Sequence, residues 1–269
     1  GREGLWVAAR EGVRLVRGDV MGGPLVGVPP GDANVLMENR DGTLWVGTRH
    51  GLFVRAPGAA AATRVPARLP HSNVTALRRD RAGNLWIGTE QGGLTRFARG
   101  EWSTFGVLQG LSNNQVLEIL EDHEGSLWIG TQDGGLNRLA DGAFVTWSKA
   151  EGLADDVVWP IFGDAQGNVW IGTKAGGLSR FRDGVIEGFS TRDGLSSNSV
   201  QSIAQDASGA LWIGTRGGGL NRHAGGRFQA WSTAQGLPHS SVSAVLASRR
   251  GGLWIGTRGG GLSRFQDGR

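Results

Sequence analysis

Leu211-Trp212-Ile213-Gly214-Thr215-Arg216-Gly217-Gly218-Gly219-Leu220 is repeated without change from Leu253 to Leu262, and looser copies run through the whole chain. The tryptophan of this block returns at Trp6, Trp45, Trp86, Trp128, Trp170, Trp212 and Trp254, at intervals of 39, 41, 42, 42, 42 and 42 residues. A period this regular sets the architecture before any single element is assigned. Other landmarks keep the same beat: Leu111, Leu153, Leu195 and Leu237 after glycine, and a small or branched apolar residue at Ala33, Val74, Val116, Val158, Val200 and Val242.

Inside one unit, Val116 to Leu120 is an apolar run ending at Asp122-His-Glu-Gly125, where aspartate closes a hairpin turn and glycine takes the positive-φ position. Leu127 to Thr131 is a second strand. Gly134-Gly135 marks the next reversal, Leu136 to Leu139 the third strand, and Asp141-Gly142 a turn into Phe144-Val-Thr-Trp147. The aromatics three apart in that fourth strand have counterparts at Trp102/Phe105, Ile186/Phe189 and Phe228/Trp231.

Four short antiparallel strands per unit describe a propeller blade. One such sheet is too thin to bury both its faces, and stacking against neighbours around an axis buries them. The block tryptophan is then the core between blades, each indole burying about 200 Å². The prediction is an all-β chain: a seven-bladed β-propeller of four-stranded antiparallel blades forming a single domain over 1–269. The chain holds seven copies of strands two and three but six of strands one and four, so the first and last blades are each one strand short at the seam. Six full blades plus a displaced remnant is the other arrangement. Gly1 opens in mid-repeat, which points to a segment of a larger protein.

The 269 residues include 48 Gly, 11 Trp, no Tyr and no Cys, with a net charge of +4. Without cysteine there are no disulfides and no thiolate zinc sites. The charge surplus is too small to mark a nucleic-acid surface, and no apolar run approaches the 18 or more residues of a membrane span.

The string from Asn198 through Val200, Asp206, Gly209 and Trp212 to Leu220 resembles the two-component regulator propeller repeat. Similar strings run from Val74 to Leu94, Val116 to Leu136, Val158 to Leu178 and Val242 to Leu262. The first unit departs from the pattern at Ala8-Ala9 and the second at His50-Gly51. The resemblance implies the periplasmic sensor portion of a membrane-anchored bacterial signalling protein with a histidine kinase or diguanylate cyclase output. It also implies sensing of saccharide breakdown products.

In a propeller with this strand order, the loops from strand four to one and from strand two to three share the channel face. Directly after the block threonine, or after Ala9, stand Arg10, Arg49, Glu90, Gln132, Lys174, Arg216 and Arg258. This cation-rich set suits an anionic or highly hydroxylated ligand, and equally a charged surface that keeps a glycine-rich chain in solution. Before strand one, His71, Asn113, Asn114, Asp155, Asn198 and His239 offer polar groups to sugar hydroxyls, or simply satisfy turn amides. His71 and His239 share a frame position and form a candidate binding pair. The periodic Arg96, Arg138, Arg180, Arg222 and Arg264 are expected to make a framework ion pair or hydrogen bond.

No cofactor, metal site or catalytic set is expected. The five histidines show no metal-pair spacing, and the glycine-rich turns lack the following helix of a phosphate loop. Three functions stay in play: a sensor binding a small, polar, saccharide-like ligand; a rigid scaffold for self-association or neighbouring domains; and a lyase like the antibiotic-linearising propellers. Neither nucleic acid nor membrane is an expected partner of this segment.

Overall fold

In the computed structural model, which describes residues 4–18, 20–248 and 251–266, the chain is all-β: seven antiparallel sheets in sequence, the fold class of a seven-bladed β-propeller. Five sheets have four strands. The first (Leu5–Ala9, Gly12–Arg17, Val20–Pro24) and the seventh (Val242–Ala247, Leu253–Thr257, Gly261–Phe265) have three, as the strand count predicts. The chain divides into two compact units, Gly1–Ile119 and Leu120–Arg269, the boundary falling inside the strand Val116–Glu121.

Each sheet is a plain meander. In the fifth, Val158–Gly163, Val169–Thr173, Leu178–Arg182 and Val185–Phe189 pair in order, and Trp170 lies opposite Phe162 on one side and Arg180 on the other. The first strand carries a bulge at the same place in the second, third, fifth, sixth and seventh sheets. Such an inserted residue bends the strand and sharpens its twist.

Sheets stack face to face as the repeat demands. In the second unit Trp170 packs with Val200, Ile203, Leu211 and Ile213 of the following sheet, and Trp212 likewise with Val242, Val245, Leu253 and Ile255. Glycine sets the spacing: a Cβ on Gly130, Gly172 or Gly214 would fall 2.5 to 2.7 Å from Cγ1 of Val158, Val200 or Val242, closer than real contacts allow. The block threonine ties off its strand, with Thr173 Oγ1 donating to the Gly177 carbonyl at 2.9 Å.

The aspartate at the first turn does more than close it. Asp164 accepts the amides of Gln166 and Asn168 and, at 2.8 Å, the indole N–H of Trp170. Asp80, Asp122 and Asp206 hold Trp86, Trp128 and Trp212 in the same way at 2.7 to 2.8 Å. A buried indole N–H needs an acceptor, and the turn supplies one. Desolvation pushes the Asp206 carboxyl up, but its hydrogen bonds from Ser208, Trp212 and Ala210 together hold it below the ordinary value.

The expected framework pairing of the periodic arginines is seen at Arg138 and Arg180, and all five share a further contact. What Arg96, Arg138, Arg180, Arg222 and Arg264 have in common is a guanidinium 5.6 to 5.9 Å from the ring centroid of their own sheet's tryptophan. Arg138 adds a hydrogen bond to Ser126 and Arg180 an ion pair with Glu187, yet these are local additions to a shared stack. The two residues face each other across strands two and three, so the sheet register brings them together.

Candidate functional site

The loops after the block threonine and before the first strand lie at one end of each sheet. The amide of Lys174 donates to the Val157 carbonyl, that of Arg216 to Ser199 and that of Arg258 to Ser241. Gly177 then donates to Asn198 and Gly219 to Ser240, in each case one sheet further on. The fifth, sixth and seventh sheets are thereby joined at this end by an unbroken belt of backbone hydrogen bonds. Lys174, Arg216 and Arg258 stand on it at equivalent positions, one per sheet. All three are exposed, and none has a side-chain partner among the described residues. In the first unit Arg10 and Arg49 are exposed as well, while Glu90 accepts a hydrogen bond from Asn73 at 2.7 Å. Gln132 donates to Asp133 at 3.2 Å.

The polar residues before strand one are engaged in the loop itself. His71 Nδ1 accepts the Asn73 amide and His239 Nδ1 that of Ser241, while Asn113 Oδ1 accepts that of Gln115. Asp155 takes the amides of Asp156 and Ala175 and sits 3.4 Å from Lys149 Nζ. Five side chains of four kinds, counting Ser197, thus do one job at one frame position, which is to accept a nearby amide. Asn114 and Asn198 cap the short 3-10 turns Val107–Gln109 and Thr191–Asp193 through the amides of Val107 and Thr191. The turns Lys149–Glu151, Thr191–Asp193 and Thr233–Gln235 are capping boxes that the sequence spells out as Ser148…Glu151, Ser190…Asp193 and Ser232…Gln235.

The opposite end of the sheets carries a groove that lay outside the loops singled out from the sequence. Between the fourth and fifth sheets a cavity of about 420 Å³ is walled by Trp128, Trp147 and Phe181, with Arg138, Asp122 and Asn168 around it. Asn168 is 5% exposed, its Nδ2 donates to Asp164 at 2.6 Å, and its Oδ1 has no partner. An equivalent cavity of about 360 Å³ lies between the sixth and seventh sheets, walled by Trp212, Trp231 and Phe265.

Two titratable groups escaped the sequence reading. Glu118, half-buried on a first strand where other units have Val35, Ala76, Pro160, Ser202 or Ala244, has its carboxyl pushed up to about 7 by desolvation, opposed by the Ile119 amide and the Arg78 charge. His223 stands where Phe181 and Phe265 stand in neighbouring sheets, its Nε2 buried without a partner. Aligning the third strands places His223 in a column with Phe97, Leu139, Phe181 and Phe265. Among the described residues no group of three His, Asp or Glu side chains is arranged to hold a metal ion, and no helix is long and apolar enough to cross a membrane.

The pattern of the two component regulator propeller family matches five stretches, residues 68–91, 110–133, 152–175, 194–217 and 236–259. No curated protein sequence matches the chain. Among solved structures, the extracellular domain of a putative hybrid two component system from B. thetaiotaomicron is 22% identical with a TM-score of 0.79, over 97% of this chain and 36% of that one. PorZ, a surface component of the type-IX secretion system of Porphyromonas gingivalis, is 18% identical with a TM-score of 0.74, over 98% of this chain and 44% of its own. A streptogramin B lyase is 17% identical with a TM-score of 0.72, over 90% of this chain and 85% of its own. At these identities the likeness is one of fold. The chain spans 36% to 44% of the length of the B. thetaiotaomicron extracellular domains it matches.

Proposed function

We propose, for a chain that belongs to the two component regulator propeller family, that it is a ligand-sensing portion of a bacterial signalling protein facing the periplasm or the cell exterior. Its ligand is a small, anionic or highly hydroxylated molecule of the acidic oligosaccharide type. The observation that carries this reading is the set Lys174, Arg216 and Arg258. Three cations on three consecutive sheets, without internal partners, are held in register by the backbone belt.

A framework cation is normally spent on the framework, as Arg138 and Arg180 are. Unspent cations at a fixed spacing favour carboxylate or sulfate groups, with arginine able to meet each oxyanion through two parallel N–H bonds. The loop polar residues serve this site indirectly, since their hydrogen bonds fix the belt. Family membership and likeness to extracellular two-component domains support the setting.

The test is thermal stabilisation of the chain by acidic oligosaccharide fragments at low ionic strength. Arg216→Ala with Arg258→Ala is expected to remove the shift while leaving the unliganded melting temperature within about 2 °C, because surface substitutions rarely cost more than about 0.5 kcal/mol. A chain that shows no shift with any acidic or neutral glycan would end this reading.

A further inference from the structure

At the end opposite the belt, neighbouring sheets of the second unit are not sealed alike, and the last residue of strand one decides the difference. On the sixth sheet it is Gln205. Its Oε1 accepts the Ala165 amide at 3.0 Å and its Nε2 donates to Gln166 Oε1 at 3.1 Å, which ties the strand to the turn of the fifth sheet. The second, third and fourth sheets also have long side chains at this step, Glu38, Arg79 and Glu121, but the fifth has Gly163. Nothing reaches back from Gly163 to the turn of the fourth sheet. His123 crosses instead, its Nε2 3.1 Å from the Asp164 carbonyl oxygen. Neither backbone nor space requires glycine here: the φ of Gly163 is not positive, and a Cβ on it would meet Leu120 Cδ2 at an ordinary 3.6 Å. What the glycine does is leave a groove open.

That groove is the cavity of about 420 Å³ between the fourth and fifth sheets, lined by Gly163 and within the ~300–1,000 Å³ of small-molecule sites. Trp128, Trp147 and Phe181 give it an aromatic wall. Asn168, 5% exposed, lines it too, and its buried Oδ1 has no partner among the described residues. An unpaired buried acceptor is costly, so a donor brought into the groove gains more there than at an exposed carbonyl. The sixth and seventh sheets have Ala210 and Gly252 in place of Asn168 and offer no such acceptor. At the rim Arg138 lies 3.4 Å from Glu124 and Arg182 3.4 Å from Asp183, and Asp122 adds a third carboxylate. Both guanidinia are already matched, so this end disfavours an anion, the reverse of the belt.

We propose that this groove is a second binding site, separate from the belt, for a flat aromatic ring that bears a hydrogen-bond donor and is neutral or cationic. The ring packs against Trp147 and Phe181, and its donor meets Asn168 Oδ1. Gly163 keeps the entrance free of the side chain that closes the next contact.

The experiment titrates indole and benzofuran, alike in shape but carrying a ring N–H and a ring oxygen respectively, into the full chain and follows the NMR amide signals of Glu124, Gly167 and Asn168. Indole is expected to shift these signals saturably and benzofuran to bind about tenfold more weakly, as when a buried acceptor is left unpaired. Gly163→Gln installs the side chain of the sixth sheet and is expected to abolish binding. Asn168→Ala, again the residue of the sixth sheet, is expected to make the two ligands bind equally, and unliganded melting curves check that both variants fold. The proposal is overturned if indole gives no saturable shift, if both ligands bind the unaltered chain equally, or if Gly163→Gln binds indole undiminished. Indole shifts confined to residues 174–176 and 216–218 would place the ring at the belt and equally overturn it.

Discussion

Two neighbouring contacts in the second unit follow one plan and differ in two rings, Trp147 against Phe189 on the fourth strand and Phe181 against His223 on the third. Between the fourth and fifth sheets, Trp128, Trp147 and Phe181 sit with centroids 4.9 to 5.5 Å apart. Between the fifth and sixth, Trp170, Phe189 and His223 take the same places at 5.6 to 5.7 Å, and Phe228 closes on the histidine at 4.6 Å. Phenylalanine asks nothing of its surroundings, whereas the imidazole brings a nitrogen, Nε2, that is buried and unpaired. The geometry of the plan therefore tolerates the exchange, and its cost appears in energy and in pH dependence.

Desolvation, with the Arg180 charge, lowers the His223 pKa from its ordinary 6.5, and Glu187 opposes them. The unfolded chain then takes up this proton more readily than the folded one. Stability from this contact is whole above pH 6.5 and is lost as the pH falls below it, down to the folded pKa. Phe181, at the same place in the neighbouring contact, carries no proton to lose or gain.

The largest expected effect strikes what both contacts share. Asp164→Ala strips the acceptor from the Trp170 indole and from two turn amides, and should cost about 2–4 kcal/mol in urea unfolding at pH 7. A loss under 1 kcal/mol would mean that water replaces the carboxylate freely. Next comes exchange of the third-strand ring. Phe181→His should cost about 1–3 kcal/mol at pH 8 and more at pH 5, while His223→Phe should flatten the fall in stability between pH 7 and pH 5. If the slope survives in His223→Phe, the histidine is not its source.

A separate effect comes from Glu118, whose raised pKa has the opposite sign. The folded chain holds this proton between about 4.5 and 7, so stability falls as the pH rises through that window. Glu118→Gln should raise the melting temperature at pH 8 and leave it nearly unchanged at pH 4. An equal change at both would assign the effect to packing.

What the sequence disclosed and what it concealed divide along the same line. The spacing of Trp86, Trp128, Trp170 and Trp212 announces the sheets, because a period is a property of order along the chain. That Asp164 reaches the Trp170 indole, or that Arg180 lies over it, depends on which side chains a register sets opposite one another across six to ten residues. His223 was visible in principle, since third-strand alignment places it among Phe97, Phe181 and Phe265. A histidine viewed among other histidines, however, shows only irregular positions. At the candidate site the cations after Thr173, Thr215 and Thr257 could be read from sequence, because there the frame varies in charge. Occupation of His71, Asn113 and His239 by turn amides could not, because acceptors for a ligand and acceptors for a backbone are the same residue types.

The glycine that admits its neighbour's valine has a consequence for how such a chain grows. The inner repeats carry both the hollow, as at Gly172 or Gly214, and the knob that enters it, as at Val200 or Val242. A tandem copy of one unit is therefore born compatible with its parent, needing no second change to fit. The ten identical residues at Leu211 to Leu220 and Leu253 to Leu262 are what such an origin leaves behind, and divergence is then free to begin in the loops rather than at the seams.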